Sequence, residues 1–239
     1  MLRRELADGA ATTVHVARFE LASTLARVVS IPMLPLEQWC AEQRVANAIV
    51  GGFFIRAAGM PLGDLWIDGS KHPSEDFSAP FGAQRACVEI SAGRLSIAPR
   101  DEIPALPAGD LLQAGPLLLR NGRTAVIDGI DPEGFSAASA QFDSDITVGR
   151  YPRAAVGVGR GELIAAVCDG RSNDDAGLSL AELAELIRDL GAETAINLDG
   201  GGSASLVLDG VLRNSPREEH GLALEGGRPV STALSFQAR

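Results

Sequence analysis

Lysine is all but missing from this chain: of its 21 basic residues only Lys71 is a lysine, the rest being arginine. A single lysine argues against phosphate-loop and Schiff-base chemistry, because both need a placed ammonium or amine. Cysteine is sparse as well. Cys40, Cys87 and Cys168 are far apart and form no CxxC pair, so they read as free buried thiols in a reducing compartment. His15, His72 and His220 are equally scattered and give no HExxH helix and no zinc cluster. No apolar run approaches the roughly eighteen residues of a membrane-spanning helix. The opening segment, MLRRELADGAATTVHVARFEL, meets an acidic residue by position 5 and has no apolar leader core, so the expectation is a soluble cytoplasmic protein, or a secreted one if a leader preceded this numbering. An excess of basic charge is lacking too. Against 31 acidic residues the formal net charge is −10, which excludes sequence-independent binding to nucleic acid or an anionic membrane.

What is present is an ordinary globular composition, 46% hydrophobic and 22% charged over 239 residues. That is enough chain for a sizeable core, and no repeat or long linker divides it, so 1–239 is expected to be one domain. Residues 12–18 alternate and are β-branched, which predicts a strand. Residues 36–46 carry helical spacing and lead into NAIVGGFF, a short apolar run that ends in paired glycines. Residues 60–110 are turn-rich, with the short strands ACVEIS and RLSIA, and read as β decoration. LIAAVCDG (163–170) is a buried-type strand. Ser179 and Glu182 then form a capping box, Leu180, Leu183, Ile187 and Leu190 share a helical face, and Gly191 stops the helix. TAINLD (194–199) is a second strand. The expected fold class is therefore α/β, with α+β as the alternative: a mixed central sheet flanked by helices, containing a βαβ unit at 163–199 whose parallel strands end on one ligand-binding edge.

That edge carries the chemistry. In AINLDGGGSASLV, alternation puts Asn197 and Asp199 on one face and Ile196 and Leu198 on the other. Gly200, Gly201 and Gly202 then strip the turn of side chains, so that backbone amides can approach a ligand and cradle an anion, and Ser203 adds a hydroxyl. A plain Asp-Gly turn explains less of this string than a site does. Arg153 in RYPRAAVGVG and Arg171 in CDGRS flank the same unit, and arginine matches phosphate or carboxylate bidentately. His220, in the polar loop NSPREEHG, reads as exposed, His15 as structural, and Trp39 and Trp66 as core or loop anchors.

These motifs together resemble the phosphodiester glycosidase family. NLDGGGSASLV with its preceding helix, the following DGVLRNSP and GGRPVSTAL, AIVGGFF (48–54), QAGPLLLRNG (113–122), YPRAAVGV (151–158) and VCDGRS (167–172) keep the family's order from about residue 12 to the C-terminus. The resemblance implies a glycoside hydrolase that cleaves a sugar-1-phosphodiester, of the N-acetylglucosamine-1-phosphodiester kind, at the glycosidic C–O bond. It matches Asp199, Asn197, Arg153, Arg171 and Asp169 to the family's polar positions, and the chemistry of such a bond assigns Asp199 as base or nucleophile, Asn197 to orient a sugar hydroxyl or water, and Arg153 and Arg171 to the phosphate. Substrate binding falls to Gly51, Gly52, Asp169, Gly200, Gly201, Gly202 and Ser203. No cofactor is required, although Asp169 and Asp199 could hold Ca²⁺ or Mg²⁺. The expected partner is a small molecule or glycan carrying a sugar phosphodiester, with no nucleic acid and no membrane. One position departs: Val50 stands where the family's early signature has Asn, and Ala204-Ser205 where it has Ser-Thr. Competing readings are a hydrolase of exopolysaccharide or cell-wall glycans, and a non-catalytic carbohydrate-binding relative.

Overall fold

The computed structural model describes residues 1–127, 130–136 and 146–239. Three β-sheets dominate it. The largest has seven strands in the order Leu2–Glu5, Ala11–Glu20, Glu162–Cys168, Arg153–Gly159, Thr194–Asn197, Leu117–Arg120 and Arg123–Thr124. A five-stranded sheet runs Arg94–Pro99, Ala86–Ser91, Asp110–Gln113, Leu65–Ile67, Ser70–Lys71, and another runs Val211–Leu212, Leu206–Leu208, Asn47–Val50, Pro229–Ala238, Thr24–Pro35.

Local chemistry explains many of the elements. Asn121-Gly122 and Asp209-Gly210 have positive φ at both residues, the geometry of a tight two-residue hairpin turn, and each joins two short antiparallel strands. The Leu180–Asp189 helix starts at the expected capping box. Ser179 Oγ accepts from the Glu182 amide at 3.2 Å, and the Glu182 carboxylate accepts from the Ser179 amide at 2.8 Å. Leu180, Leu183, Ala184, Leu186 and Ile187 are its buried face. They pack with Ala155, Ile164, Ala166 and Ala195 on one side of the seven-stranded sheet, while Ala154, Val156, Leu163, Ala165, Val167, Ile196 and Leu198 face the main core shared with the other sheets. The large sheet is thus buried on both faces, which accounts for its Ala- and Val-rich strands.

The α/β expectation needs correcting toward a mainly antiparallel β architecture. The strands at 162–168 and 194–197 and the helix between them form where expected. The Arg153–Gly159 strand, however, lies between the two and pairs antiparallel with each, Val156 standing opposite both Ala165 and Ile196. The two outer strands run the same way without touching, so the 163–199 unit is not a parallel βαβ pair. Every ladder between named strands is antiparallel among the described residues. The C-terminal ends of the outer strands still emerge on one edge, together with Pro152 at the start of the strand between them.

Candidate functional site

That edge is where the NLDGGGS turn sits. The Asp199 amide donates to the Gly51 carbonyl at 3.0 Å, and the Gly51 amide to the Thr232 carbonyl at 2.9 Å. The turn is thereby docked against the end of the Asn47–Val50 strand, so the site lies where the seven-stranded sheet meets the Thr24–Pro35 sheet. Gly52 donates to Thr232 Oγ1 at 3.0 Å. Gly51 and Gly52 thus seat the turn through their backbone.

Asp199 is partly buried at the head of the turn. Burial pushes its carboxyl up from 3.8 to about 6, against the opposing pull of a Ser203 side-chain hydrogen bond, the Arg228 charge, the Gly200 amide and the more distant Arg56. The chain of contacts continues outward. Arg228 donates through Nη1 to Ser203 Oγ at 3.2 Å, and its Nε and Nη2 grip the Glu218 carboxylate at 2.7 and 2.5 Å. For Glu218 burial also pushes upward, but the Arg228 fork outweighs it and holds the carboxyl below its ordinary range. Two carboxyl groups beside one arginine are therefore driven in opposite directions, Asp199 toward a proton affinity near pH 6 and Glu218 toward a permanent anion.

Arg171 approaches from the other side. Its backbone is left-handed at φ +58, it donates to the Arg217 carbonyl at 3.1 Å, and its guanidinium lies 5.4 Å from the Tyr151 ring centroid. Among the described residues it forms no ion pair, and burial lowers its pKa. The glycines make room for these neighbours. Gly201, at φ +59, would place a Cβ 3.1 Å from Arg171 Nη1, and a Cβ on Gly202 would come within 2.9 Å of Glu218 Oε1. Their amides are less free than the sequence suggests. Gly200 donates to the Asp199 carboxylate and Gly201 to the Pro152 carbonyl, so the anion cradle expected of the triple glycine is in large part already filled.

The remaining expected residues divide. Arg153 is 3% exposed and donates to the carbonyls of Leu178, Ile146 and Gly149, 5.2 Å from the same Tyr151 ring. These bonds brace the backbone at Ile146, Gly149 and Leu178. Asn197 is 1% exposed, with Nδ2 given to the Gly115 and Leu198 carbonyls. Its amide nitrogen ties the Gly115–Pro116 turn to the site, while Oδ1 is buried without a hydrogen-bond partner among the described residues. Asp169 is also occupied: one oxygen lies 2.9 Å from His15 Nε2 and the other accepts from the Ser215 amide at 2.6 Å. It anchors the loop that carries Glu218. No group of three His, Cys, Asp or Glu side chains suited to a cation occurs among the described residues, and Asp169 and Asp199 have separate partners. Val50 is fully buried in the main core with Ala204, so the departure from Asn falls on packing and not on an open site wall. A cavity of about 470 Å³, lined in part by Arg27, Trp39, Ile67 and Asp110, shares no residue with this cluster.

Glu218, Arg228, Arg56 and Tyr151 are the site residues that sequence reasoning missed. NSPREEHG reads as a solvated loop, and its two glutamates cannot be told apart by spacing. Arg228 was within reach, since GGRPVSTAL places an arginine just before a strand. Nothing local announces that this strand ends beside Gly51.

Comparisons with known proteins place the chain in a family. The family model for phosphodiester glycosidases matches residues 43–237. Mouse N-acetylglucosamine-1-phosphodiester alpha-N-acetylglucosaminidase is 36% identical over 174 residues, 70% of this chain and 32% of that protein, and the human protein of that name is 32% identical over 187 residues, 74% and 34% respectively. This chain thus spans about a third of the length of these relatives. The solved catalytic domain of the zebrafish protein of the same name, described as auto-inhibited by its pro-peptide, superposes with a TM-score of 0.73 at 25% identity, covering 100% of this chain and 81% of that one. With the motifs, the fold and the matched span in agreement, the chain belongs to the phosphodiester glycosidase family.

Proposed function

We propose that this domain hydrolyses a sugar-1-phosphodiester, with Asp199 as the reacting carboxylate, Arg171 as the cation facing the phosphate and Arg228 holding Ser203 behind the turn. The observation that carries the reading is the convergence on one glycine turn of a partly buried carboxyl, a hydroxyl and two arginines, one of them without an ion pair among the described residues. Such a set matches an oxocarbenium-like centre next to a phosphate. The C1–O bond breaks with its electron pair leaving on the phosphate oxygen. A phosphate monoester leaves readily because its second pKa is near 6, so a strong proton donor is less needed than in ordinary glycosidases. Water supplies the new C1–O bond. Its proton passes to Asp199 if that residue acts as base; if Asp199 is the nucleophile, a glycosyl ester forms first and water then cleaves it. The two routes differ in stereochemistry, inversion for the first and retention for the second. The curated relatives carry N-acetylglucosamine-1-phosphodiester in their names, and we extend that substrate class to this chain.

The deciding experiment compares an N-acetylglucosamine-1-phosphodiester with the phosphate-free glycoside of the same aglycone. Turnover of the first and not of the second supports the reading. Equal turnover transfers the protein to the glycan hydrolases. Binding without turnover of either makes it a carbohydrate-recognition domain.

A further inference from the structure

We propose that Tyr151 is a positioning residue: its ring holds the guanidinium of Arg171 by the face, so that the cation stays beside the glycine turn with N–H donors to spare for a phosphate. The inference rests on the reading of Arg171 as the cation facing the phosphate and identifies what keeps it there. Arg171 lies over the Tyr151 ring with Cζ 5.4 Å from the centroid, within the range of a cation–π contact. A contact made through the π face uses none of a guanidinium's five N–H donors. Nη1 gives one to the Arg217 carbonyl at 3.1 Å, and Arg171 forms no ion pair among the described residues. A carboxylate partner would hold the side chain as firmly but would occupy its fork, as Glu218 does with Arg228. Held by a ring, Arg171 is fixed without being neutralised.

The ring is itself held from behind. Tyr151 exchanges both backbone bonds with Leu178, its amide donating at 3.2 Å and its carbonyl accepting at 3.1 Å. The Leu178 carbonyl accepts from Arg153 Nε as well. Arg153 lies over the same ring with Cζ 5.2 Å from its centroid, and its bonds to three carbonyls leave it no freedom to move. Gly177 lets the chain close on this pair: it has φ +82, and a Cβ there would stand 2.6 Å from the Tyr151 carbonyl. One string, RYPRAAV, thus supplies both the ring and the buried arginine that braces it. On the open side, Gly201 lacks the Cβ that would press on Arg171 Nη1 from 3.1 Å. The guanidinium is bounded by Tyr151, the Arg217 carbonyl and Gly201, from three separate segments that converge beside Asp199.

The test measures the affinity of the full chain for inorganic phosphate by calorimetry in wild type, Tyr151→Leu, Tyr151→Phe and Arg171→Leu, with melting points recorded to show that each is folded. Tyr151→Leu should weaken phosphate binding by about 3- to 10-fold, the loss of one half-buried cation–π contact, and should raise KM for a sugar-1-phosphodiester more than it lowers kcat. Tyr151→Phe keeps the ring and should restore the affinity. Should Tyr151→Leu fail to fold, wild type alone answers by nitrogen-15 relaxation of the Arg171 Nε–Hε group, assigned with Arg171→Leu. A guanidinium held on the ring is restricted before phosphate is added, whereas a free one is mobile until phosphate arrives. Unchanged affinity in Tyr151→Leu, a Tyr151→Phe variant as weak as Tyr151→Leu, or a mobile Arg171 Nε in the phosphate-free protein overturns the proposal. Arg171→Leu separates the two readings. If it weakens binding and Tyr151→Leu does not, only the role of Tyr151 falls; if neither weakens binding, the phosphate role of Arg171 falls and takes the inference with it.

Discussion

Asp199→Asn should make the protein both inactive and more stable, and the size of the second effect follows from the environment of one carboxyl. In the unfolded chain the group titrates near 3.8, and in the folded protein burial lifts it to about 6. Holding it ionised in the fold therefore costs about 3 kcal/mol, at about 1.4 kcal/mol for each pH unit of displacement. Asp199 is not sealed from water, and screening at the mouth brings the expected value to about 1.5–3 kcal/mol. The sign follows from which state holds the proton. Below pH 4 the carboxyl is protonated in both states and costs nothing. Between 4 and 6 the unfolded chain loses the proton first, so the fold is progressively penalised, and above 6 the penalty is complete. The carboxamide of the variant keeps an acceptor for the Gly200 amide and never ionises.

The variant should accordingly match wild type in thermal unfolding at pH 4 and exceed it at pH 7.5 by about 3–12 °C, taking about 2–4 °C per kcal/mol for a domain of this size. Turnover of a sugar-1-phosphodiester should fall by at least about 10³-fold under the same conditions. A melting point gain of the same size at both pH values, or none at pH 7.5, would refute the claim that an ionised carboxyl is held here at a cost. That would also remove the physical reason for placing the reaction at Asp199 instead of another of the chain's acidic groups.

Other substitutions separate the arginines and the glycine turn. Arg171→Leu should lower kcat/KM on a phosphodiester by about 10- to 100-fold, the loss of one charge-assisted contact, with the melting point nearly unchanged. Arg153→Met should do the reverse, destabilising by about 1–3 kcal/mol in chemical denaturation because the buried Leu178 carbonyl and those of Ile146 and Gly149 lose their donor. Gly202→Ala should leave the fold intact and reduce turnover, because its Cβ displaces Glu218 Oε1; wild-type kinetics in that variant would show that the Glu218 position is not used. Val50→Asn should cost about 1–3 kcal/mol without raising activity, since a fully buried amide there meets apolar neighbours.

Where the chain was legible, the signal lay within a few residues. Ser179 and Glu182 announce a helix start three residues apart, and the structure supplies both reciprocal bonds. The Arg153–Gly159 strand shows the limit. In its sequence, RAAVGVG, nothing local marks a place in the sheet, and the order expected of its neighbours at 162–168 and 194–197 is the same whether or not a strand lies between them. Pairing order is a long-range property, and a strand buried on both faces loses the alternation that would reveal its partners. The direction of the site survived this error because strands on either side of an antiparallel one point the same way.

The site residues divide along the same line, and the division explains what an arginine-rich, acidic chain is doing. Asp199, Ser203 and the three glycines are contiguous, so a single string exposes them. Arg153 and Arg171 look alike in sequence, each beside a strand end, yet one is spent on three carbonyls while the other keeps its guanidinium out of any ion pair among the described residues. What distinguishes them is burial: a buried arginine must satisfy its donors within the protein, and only one at a rim can offer them to a ligand. Arg228 is the intermediate case, two-thirds satisfied by Glu218 and the rest turned toward Ser203. A net charge of −10 therefore says little about the local field at the turn. That field is set by which arginines the fold has left unneutralised.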